Sequence, residues 1–319
     1  MNRSQAIGFA RSRRFWTPMR SGAETAIGVD VGGTRIRVAR VSRAGELLER
    51  VIEPVGKDRK GFADQLLRLV DDLRTDGDAA VGIGIPGRVD GNSGEIISAG
   101  YLDIVGLDLA SLITRRTGLP CRIENDATMA LIAEGQARPE GAQGLIFMIT
   151  VGTGIGGAAL KDGAPWYGGG FAGQFGHIVV ARDGPLCNCG RTGCVETFSS
   201  GTALGRLITE AGLPEGIRAD DLLARPRTGD RLAAVVLDQW ASPLQRAIES
   251  LVAVADPRLV LIGGGLGADM TRALERLPRR SKWFEMPVEA ASLGDNAGVI
   301  GAGLRAFQAV RGAEGGPAA

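Results

Sequence analysis

The chain has 319 residues, 44% of them hydrophobic and 23% charged, enough to bury a large core and to form two domains around a shared cleft. Lys and Arg number 37 against 36 Asp and Glu, a formal net charge of +1, so no overall field draws the chain to nucleic acid or to an anionic membrane. No run approaches the roughly 18 uninterrupted apolar residues of a spanning helix and no secretory leader pattern stands out, so the chain is read as cytoplasmic.

Residues 1–23 carry Arg3, Arg11, Arg13, Arg14 and Arg20 without an acid and read as a disordered basic tail; the Gly- and Ala-rich end after Arg311 reads as equally loose. From Thr25 the pattern is that of a β-hairpin, Ala26 to Asp30, a Gly32-Gly33-Thr34 tip, then Ile36 to Val41 alternating apolar and polar at period two. Further strands are predicted at Leu47–Val55, Ala80–Ile85, Cys121–Glu124, Leu145–Val151, Gly156–Leu160 and Leu259–Ile262. Helical patterns lie at Phe62–Leu73, Leu109–Arg116 and Ala127–Gly135. Between Asp230 and Ala255 the apolar period is helical, and Ser242-Pro243 reads as an N-cap followed by a first-position proline that splits this stretch in two. The alternation predicts an α/β sheet with helices on its faces. Val29 to Thr34 lines up with Ile149 to Gly154, 120 residues on, each a strand opening into a small-residue turn, which suggests a duplicated unit offering two glycine tips to one cleft.

Glycine numbers 49, about twice ordinary usage, and the excess is read largely as a set of backbone phosphate cradles, because N–H groups of a turn without Cβ atoms can converge on one anion. Asp30, just ahead of Gly32, Gly33 and Thr34, adds a carboxylate suited to Mg²⁺; the alternative is a tight hairpin with an exposed acid. The G-x-G-x-x-G matches at Gly82/Gly84/Gly87 and Gly152/Gly154/Gly157 do not read as dinucleotide fingerprints. Ile85-Pro86 interrupts the first where a helix should begin, and the second runs into the strand-like Ala158 to Lys161. Gly263, Gly264 and Gly265 follow a short buried strand, where a nucleoside could lie against backbone or a helix could pack closely.

The single histidine, His177, precedes Cys187, Cys189 and Cys194 in a His-x9-Cys-x-Cys-x4-Cys arrangement. Four soft ligands at this density predict a closed, structural zinc site. Cys121, far from it, reads as a small buried hydrophobe.

Glu124-Asn125-Asp126-Ala127 ends a strand and opens a helix, so Asp126 sits at the carboxyl edge of a sheet, as a helix cap or as a group facing ligand. Taken in order, Asp30 to Thr34, Gly84 to Gly87, Glu124 to Ala127, Gly152 to Gly154, Gly173 to His177, the Cys187 to Cys194 segment with Glu196, and Gly263 to Gly265 resemble the ROK family over roughly residues 24–310. The resemblance implies an actin/hexokinase-like, ribonuclease-H-like duplicated two-domain fold with an interdomain cleft. Its smaller domain would take residues 24–124 plus 299–312 and its larger one 125–298. It also implies ATP-dependent phosphorylation of a hexose or N-acetylhexosamine, with ATP, Mg²⁺ and Zn²⁺ as cofactors and a homodimer as the assembly. Carried over by position, Asp126 is the base, and Gly87, Asn125, Asp126, Gln174, His177 and Glu196 border the sugar. Asp30, Gly32, Gly33, Thr34, Gly152, Thr153 and Gly154 handle Mg²⁺ and phosphates; Gly263, Gly264 and Gly265 line the adenosine.

Gln174 stands where the family usually has Glu, and an amide both accepts and donates, which weakens a charge-assisted contact to plain glucose and suits an acetamido carbonyl. Gly100 to Val105 also lacks the Asn and Trp that many family kinases carry there. Two other readings are a catalytically weak sugar-binding protein and a sugar-sensing repressor. About two dozen residues precede the first strand, few for a DNA-reading module, and the kinase residues are retained.

Overall fold

The computed structural model describes residues 24–311 except 57, 101, 139–140 and 279–281. The predicted basic tail, the end beyond residue 311 and Tyr101 therefore lie outside the described residues. The first half runs β1 (Thr25–Val31), β2 (Arg35–Ser42), β3 (Leu47–Pro54), α1 (Arg59–Leu73), β4 (Asp78–Ile85), a short hairpin of β5 (Arg88–Val89) and β6 (Ile96–Ser98), α2 (Leu109–Thr117), β7 (Cys121–Asn125) and α3 (Asp126–Gln136). The second runs β8 (Leu145–Val151), β9 (Ile155–Lys161), β10 (Ala164–Pro165), α4 (Glu196–Ser199), α5 (Gly201–Glu210), α6 (Ala219–Ala224), α7 (Arg231–Ala255), β11 (Leu259–Gly263), α8 (Gly267–Glu275), β12 (Val288–Ala290) and α9 (Ala297–Arg311).

The two five-stranded sheets have the orders β3-β2-β1-β4-β7 and β10-β9-β8-β11-β12. In each, three antiparallel strands form a meander and the first of them pairs in parallel with a later strand. β1 thus corresponds to β8 and β4 to β11, the duplication that Val29 to Thr34 and Ile149 to Gly154 suggest. Central β4 is apolar and almost wholly buried, whereas edge strand β3 is mostly exposed, Leu48 and Ile52 included, and ends on Pro54. α1 begins where the Asp58 carboxylate accepts the Gly61 N–H at 2.8 Å, and it buries Phe62, Leu66, Leu69, Val70 and Leu73 along one stripe.

One expectation fails at Pro243. α7 is a single helix of 25 residues that continues through it. Interior proline costs about 3 kcal/mol, but Val236, Leu237, Trp240, Leu244, Ala247 and Ile248 form one buried face across the break, and the Trp240 indole N–H donates to the Ser200 carbonyl at 3.0 Å. Burial of that continuous stripe outweighs the lost hydrogen bond. Among the described residues no helix is long and apolar enough to cross a membrane.

α3 and α9 pack against each other, α9 on β1, β2 and β4 of the first sheet and α3 on β8 and β9 of the second. This placement accounts for glycines outside the glycine turns. A Cβ on Gly28 or Gly82 would lie 2.1 Å or 1.9 Å from carbonyl oxygens of α9, and one on Gly301 would lie 1.6 Å from the Met129 carbonyl of α3. These three glycines bind nothing; they let a helix lie directly on a sheet and two helices cross at backbone contact. Gly301→Ala is accordingly expected to destabilise the fold by at least about 3 kcal/mol through overpacking against backbone. Gly205→Ala in α5, where the new methyl meets only open space, is expected to be neutral or stabilising by up to about 1 kcal/mol. Denaturant unfolding of the two variants checks the pair.

Candidate active site and metal centre

The parallel registers Asp30–Gly84, Gly84–Glu124 and Ile85–Asn125 bring the carboxyl ends of β1, β4 and β7 to one edge. Asn125 rather than Asp126 is the helix cap: its Oδ1 accepts the N–H groups of Ala127 and Thr128 at 3.0 and 3.3 Å, and its Nδ2 donates to the Gly87 carbonyl at 2.9 Å. Asp126 is the first helical residue, half-buried. Burial, reinforced by the negative charge of Asp30, pushes its pKa up to about 7. Asp30 is itself raised by burial, against the pull of Arg37, whose guanidinium bridges Asp30 at 3.2 Å and Asp295 at 3.3 Å. The Gly32-Gly33-Thr34 tip follows, with Gly33 and Thr34 exposed and the Gly32 N–H closing the turn on the Arg35 carbonyl at 2.8 Å.

On the second sheet, the Gly152 to Gly154 turn abuts the start of α5, where Gly201 N–H donates to the Gly152 carbonyl at 2.7 Å and the Thr202 hydroxyl to that of Thr153 at 2.8 Å. Gly264, at φ +81°, lies against Val151, and Leu266 N–H donates to the Val151 carbonyl at 2.9 Å, so Gly263 to Gly265 share the carboxyl end of β8 with that turn. Gly264 and Gly265 are exposed. Gly156, opening β9, lies against Ala127 of α3, which brings the second sheet's glycine hairpin to the helix start that holds Asp126.

Glu196 opens the short α4, and its Oε2 accepts the Ile155 N–H at 2.8 Å; a Cβ on Gly154 would lie 2.6 Å from that oxygen. Gln174 is exposed and flanks a 3₁₀ turn over Phe175–His177 without capping it. Glu134 and Tyr167 are polar residues that sequence patterning does not single out. Glu134 is fully buried in a mostly apolar helix and accepts from the Ser292 N–H, the Ser292 hydroxyl and the Leu293 N–H at 2.7–2.8 Å. The only sequence signal for Tyr167 is scarcity, since the chain has two tyrosines.

The ligand atoms of His177, Cys187, Cys189 and Cys194 all lie within 4.8 Å of one another. His177 Nδ1 is 3.5 Å from Cys187 Sγ, and the Cys189 and Cys194 sulfurs are 3.5 Å apart. Tetrahedral zinc, with Zn–N and Zn–S bonds of about 2.0–2.3 Å, needs ligand separations of roughly 3.3–3.8 Å, so this donor set fits. The hydrogen bonds that Cys189 accepts around Arg191 lower its thiol to about 7, toward the thiolate a metal requires. Cys121 is half-buried at the rim of the first core, and burial pushes its thiol up, as suits an inert residue.

His177 lies one 3₁₀ turn from Gln174, so the Cys/His cluster and Gln174 share a loop. Elemental analysis of purified protein is expected to find close to one zinc per chain, and His177→Ala to lose it together with sugar affinity; a variant that keeps both refutes the arrangement.

Residues 26–308 match the ROK family. The chain is 34% identical over 306 residues to the glucokinase of Thermotoga maritima, covering 86% of this chain and 95% of that one. It is 31% identical over 291 residues to an N-acetylmannosamine kinase of Escherichia coli, covering 88% and 98%. Among solved structures it resembles a ROK family glucokinase from Streptomyces griseus in complex with glucose and AMPPNP, at 29% identity and TM-score 0.74 over 89% of this chain and 99% of that one. The ROK hexokinase of Thermus thermophilus superposes with TM-score 0.77 at 28% identity, over 90% and 99%. With the family matched over almost the whole chain and relatives above 30% identity covered nearly end to end, the chain belongs to the ROK family.

Proposed function

We propose that the cleft between the two sheets is the active site of an ATP-dependent sugar kinase that phosphorylates a hexose or N-acetylhexosamine, with Asp126 as general base. The activity class follows from kinase relatives that align over almost the whole chain. The base assignment rests on one observation, a carboxylate at the edge of the sheet whose pKa is lifted to about 7 by burial and by Asp30. A base with that pKa is ionised near neutral pH yet basic enough to share a hydroxyl proton as the oxygen attacks. In this reading Asn125 and Gln174 orient sugar hydroxyls, Glu196 and the zinc-held His177 loop form the far wall, and the Gly33–Thr34 and Gly152–Gly154 amides take the phosphates. Asp30 is the group that would hold Mg²⁺, and the exposed Gly264 and Gly265 edge would take the nucleoside. ATP supplies the γ-phosphoryl group and Mg²⁺ neutralises its charge; the protein's part is alignment, since phosphoryl transfer needs little else. The repeated strand order about α3 and α9 supports two domains, 24–124 with 299–312 and 125–298, closing on the sugar.

Asp126→Asn is expected to lower kcat by about 10²–10⁴-fold, the usual contribution of a general base, while calorimetry still detects sugar binding. In the wild type, kcat/KM should fall as pH drops below about 7, because the protonated carboxyl cannot accept the hydroxyl proton. A flat profile, or turnover retained by the amide, refutes the base. The Gln174 amide favours acetamido sugars. An assay across glucose, mannose, fructose, N-acetylglucosamine and N-acetylmannosamine is therefore expected to favour the acetylated pair, and Gln174→Glu to move preference toward glucose. Equal or better turnover of glucose by the wild type removes the specificity assignment.

A further inference from the structure

Tyr167 leaves β10 of the second sheet and reaches across to the first. Its hydroxyl donates to Glu124, which is 1% exposed and directly precedes Asn125 and Asp126. Arg305 of α9 completes a half-buried triad around the buried Glu124, its Nη2 lying 3.2 Å from the Tyr167 oxygen and its Nε 3.4 Å from Glu124 Oε2. Burial raises the Glu124 carboxyl and lifts the Tyr167 phenol to about 12, so the phenol keeps its proton and acts as the donor. The phenol ring is seated on Gly91, where an added Cβ would lie 2.1 Å from Cδ1.

The chain beyond Tyr167 is folded onto this anchor. Gly170 and Ala172 N–H groups donate to the Tyr167 carbonyl at 2.8 and 2.9 Å, the Gly91 N–H donates to the Gly170 carbonyl at 3.2 Å, and the Arg88 guanidinium lies 4.3 Å above the Phe171 ring. The loop that carries Gln174 thus belongs to the second sheet by connectivity and is clamped to the first sheet by contact.

We propose that Tyr167 is a positioning residue for sugar: its hydroxyl on Glu124, backed by Arg305, sets the separation between the loop bearing Gln174 and the strand end bearing Asn125 and Asp126. The proposal rests on the sugar-kinase reading of the cleft. Nucleotide contacts, at Gly152 to Gly154 and Gly263 to Gly265, lie outside the clamped loop, so releasing the clamp loosens sugar and spares ATP.

Tyr167→Phe keeps the packed ring and removes the hydroxyl. The expected result is a sugar KM raised about 10- to 150-fold, the scale of one hydrogen bond to a charged group, with the KM for ATP and the melting temperature almost unchanged. Gly91→Ala, which unseats the ring and leaves the hydroxyl, should give the same split. In a double-mutant cycle, Tyr167→Phe should add little once Gln174→Ala is present, because the first acts through the second. Sugar affinity measured by calorimetry without nucleotide reads the same effect independently of turnover. A wild type that binds sugar but forms no ADP refutes the kinase reading and leaves the binding comparison to decide the clamp. Parallel rises in both KM values, an unchanged sugar affinity, or additive effects in the cycle each overturn the proposal.

Discussion

The backbone-to-backbone crossing of α3 and α9 determines where the chemistry sits. Met129 and Gly301, the residues at the crossing, are each in the first turns of their helices, so both helix starts emerge at the same edge of the first sheet. One start holds Asp126; the other lies against Asp30, since a Cβ on Gly298 would be 2.6 Å from an Asp30 carboxylate oxygen. Glu134 of α3 fastens the Ser292–Leu293 turn ahead of α9, and Asp295 in the next turn meets Arg37, which in turn holds Asp30. A shift of one helix against the other would therefore move both carboxylates. Helix starts also carry partial positive charge, which suits a site that must gather phosphate and carboxylate together.

Placing two carboxylates on one half-buried edge has an energetic consequence. Folding raises the proton affinity of Asp126, so ionising it between its unfolded value near about 4 and its folded value near about 7 opposes folding rather than supporting it. Arg37 relieves only the Asp30 side. Burial first, and then the remaining repulsion from Asp30, raise Asp126, and a divalent cation at this edge would relieve that repulsion. Stability given up at this edge is recovered in the continuous apolar face of α7 and the buried strands behind it.

Local pattern suffices for most elements of this chain. Period-two alternation marks β2, capping chemistry and the 3.6-residue stripe mark α1, and the density of four soft ligands marks the Cys/His cluster. The pairing of Asp30 with Asp126 can be anticipated from the ordered motifs, because parallel strands must end at a common edge. What local pattern misses is set by contacts distant in sequence. Pro243 carries a strong break signal, and only the tertiary burial of Trp240 and its neighbours overrides it. Glu134 looks like an ordinary helical acid until its partners 158 and 159 residues away are in place. Tyr167 and Arg305 have no local signature, since each acts through a carboxylate on another element.

The glycines show why composition alone gives an incomplete account of such a chain. At Gly33, Gly264 and Gly265 the backbone is open to solvent; at Gly28, Gly82 and Gly301 the missing side chain leaves backbone open to other backbone. Each packing glycine gives up some conformational entropy on folding, yet it removes a spacing of more than an ångström between α9 and its neighbours. Without that spacing, the helix starts that carry Asp126 and abut Asp30 can sit within electrostatic reach of each other. The packing glycines are thus what lets the carboxylates and the exposed glycine turns share one edge.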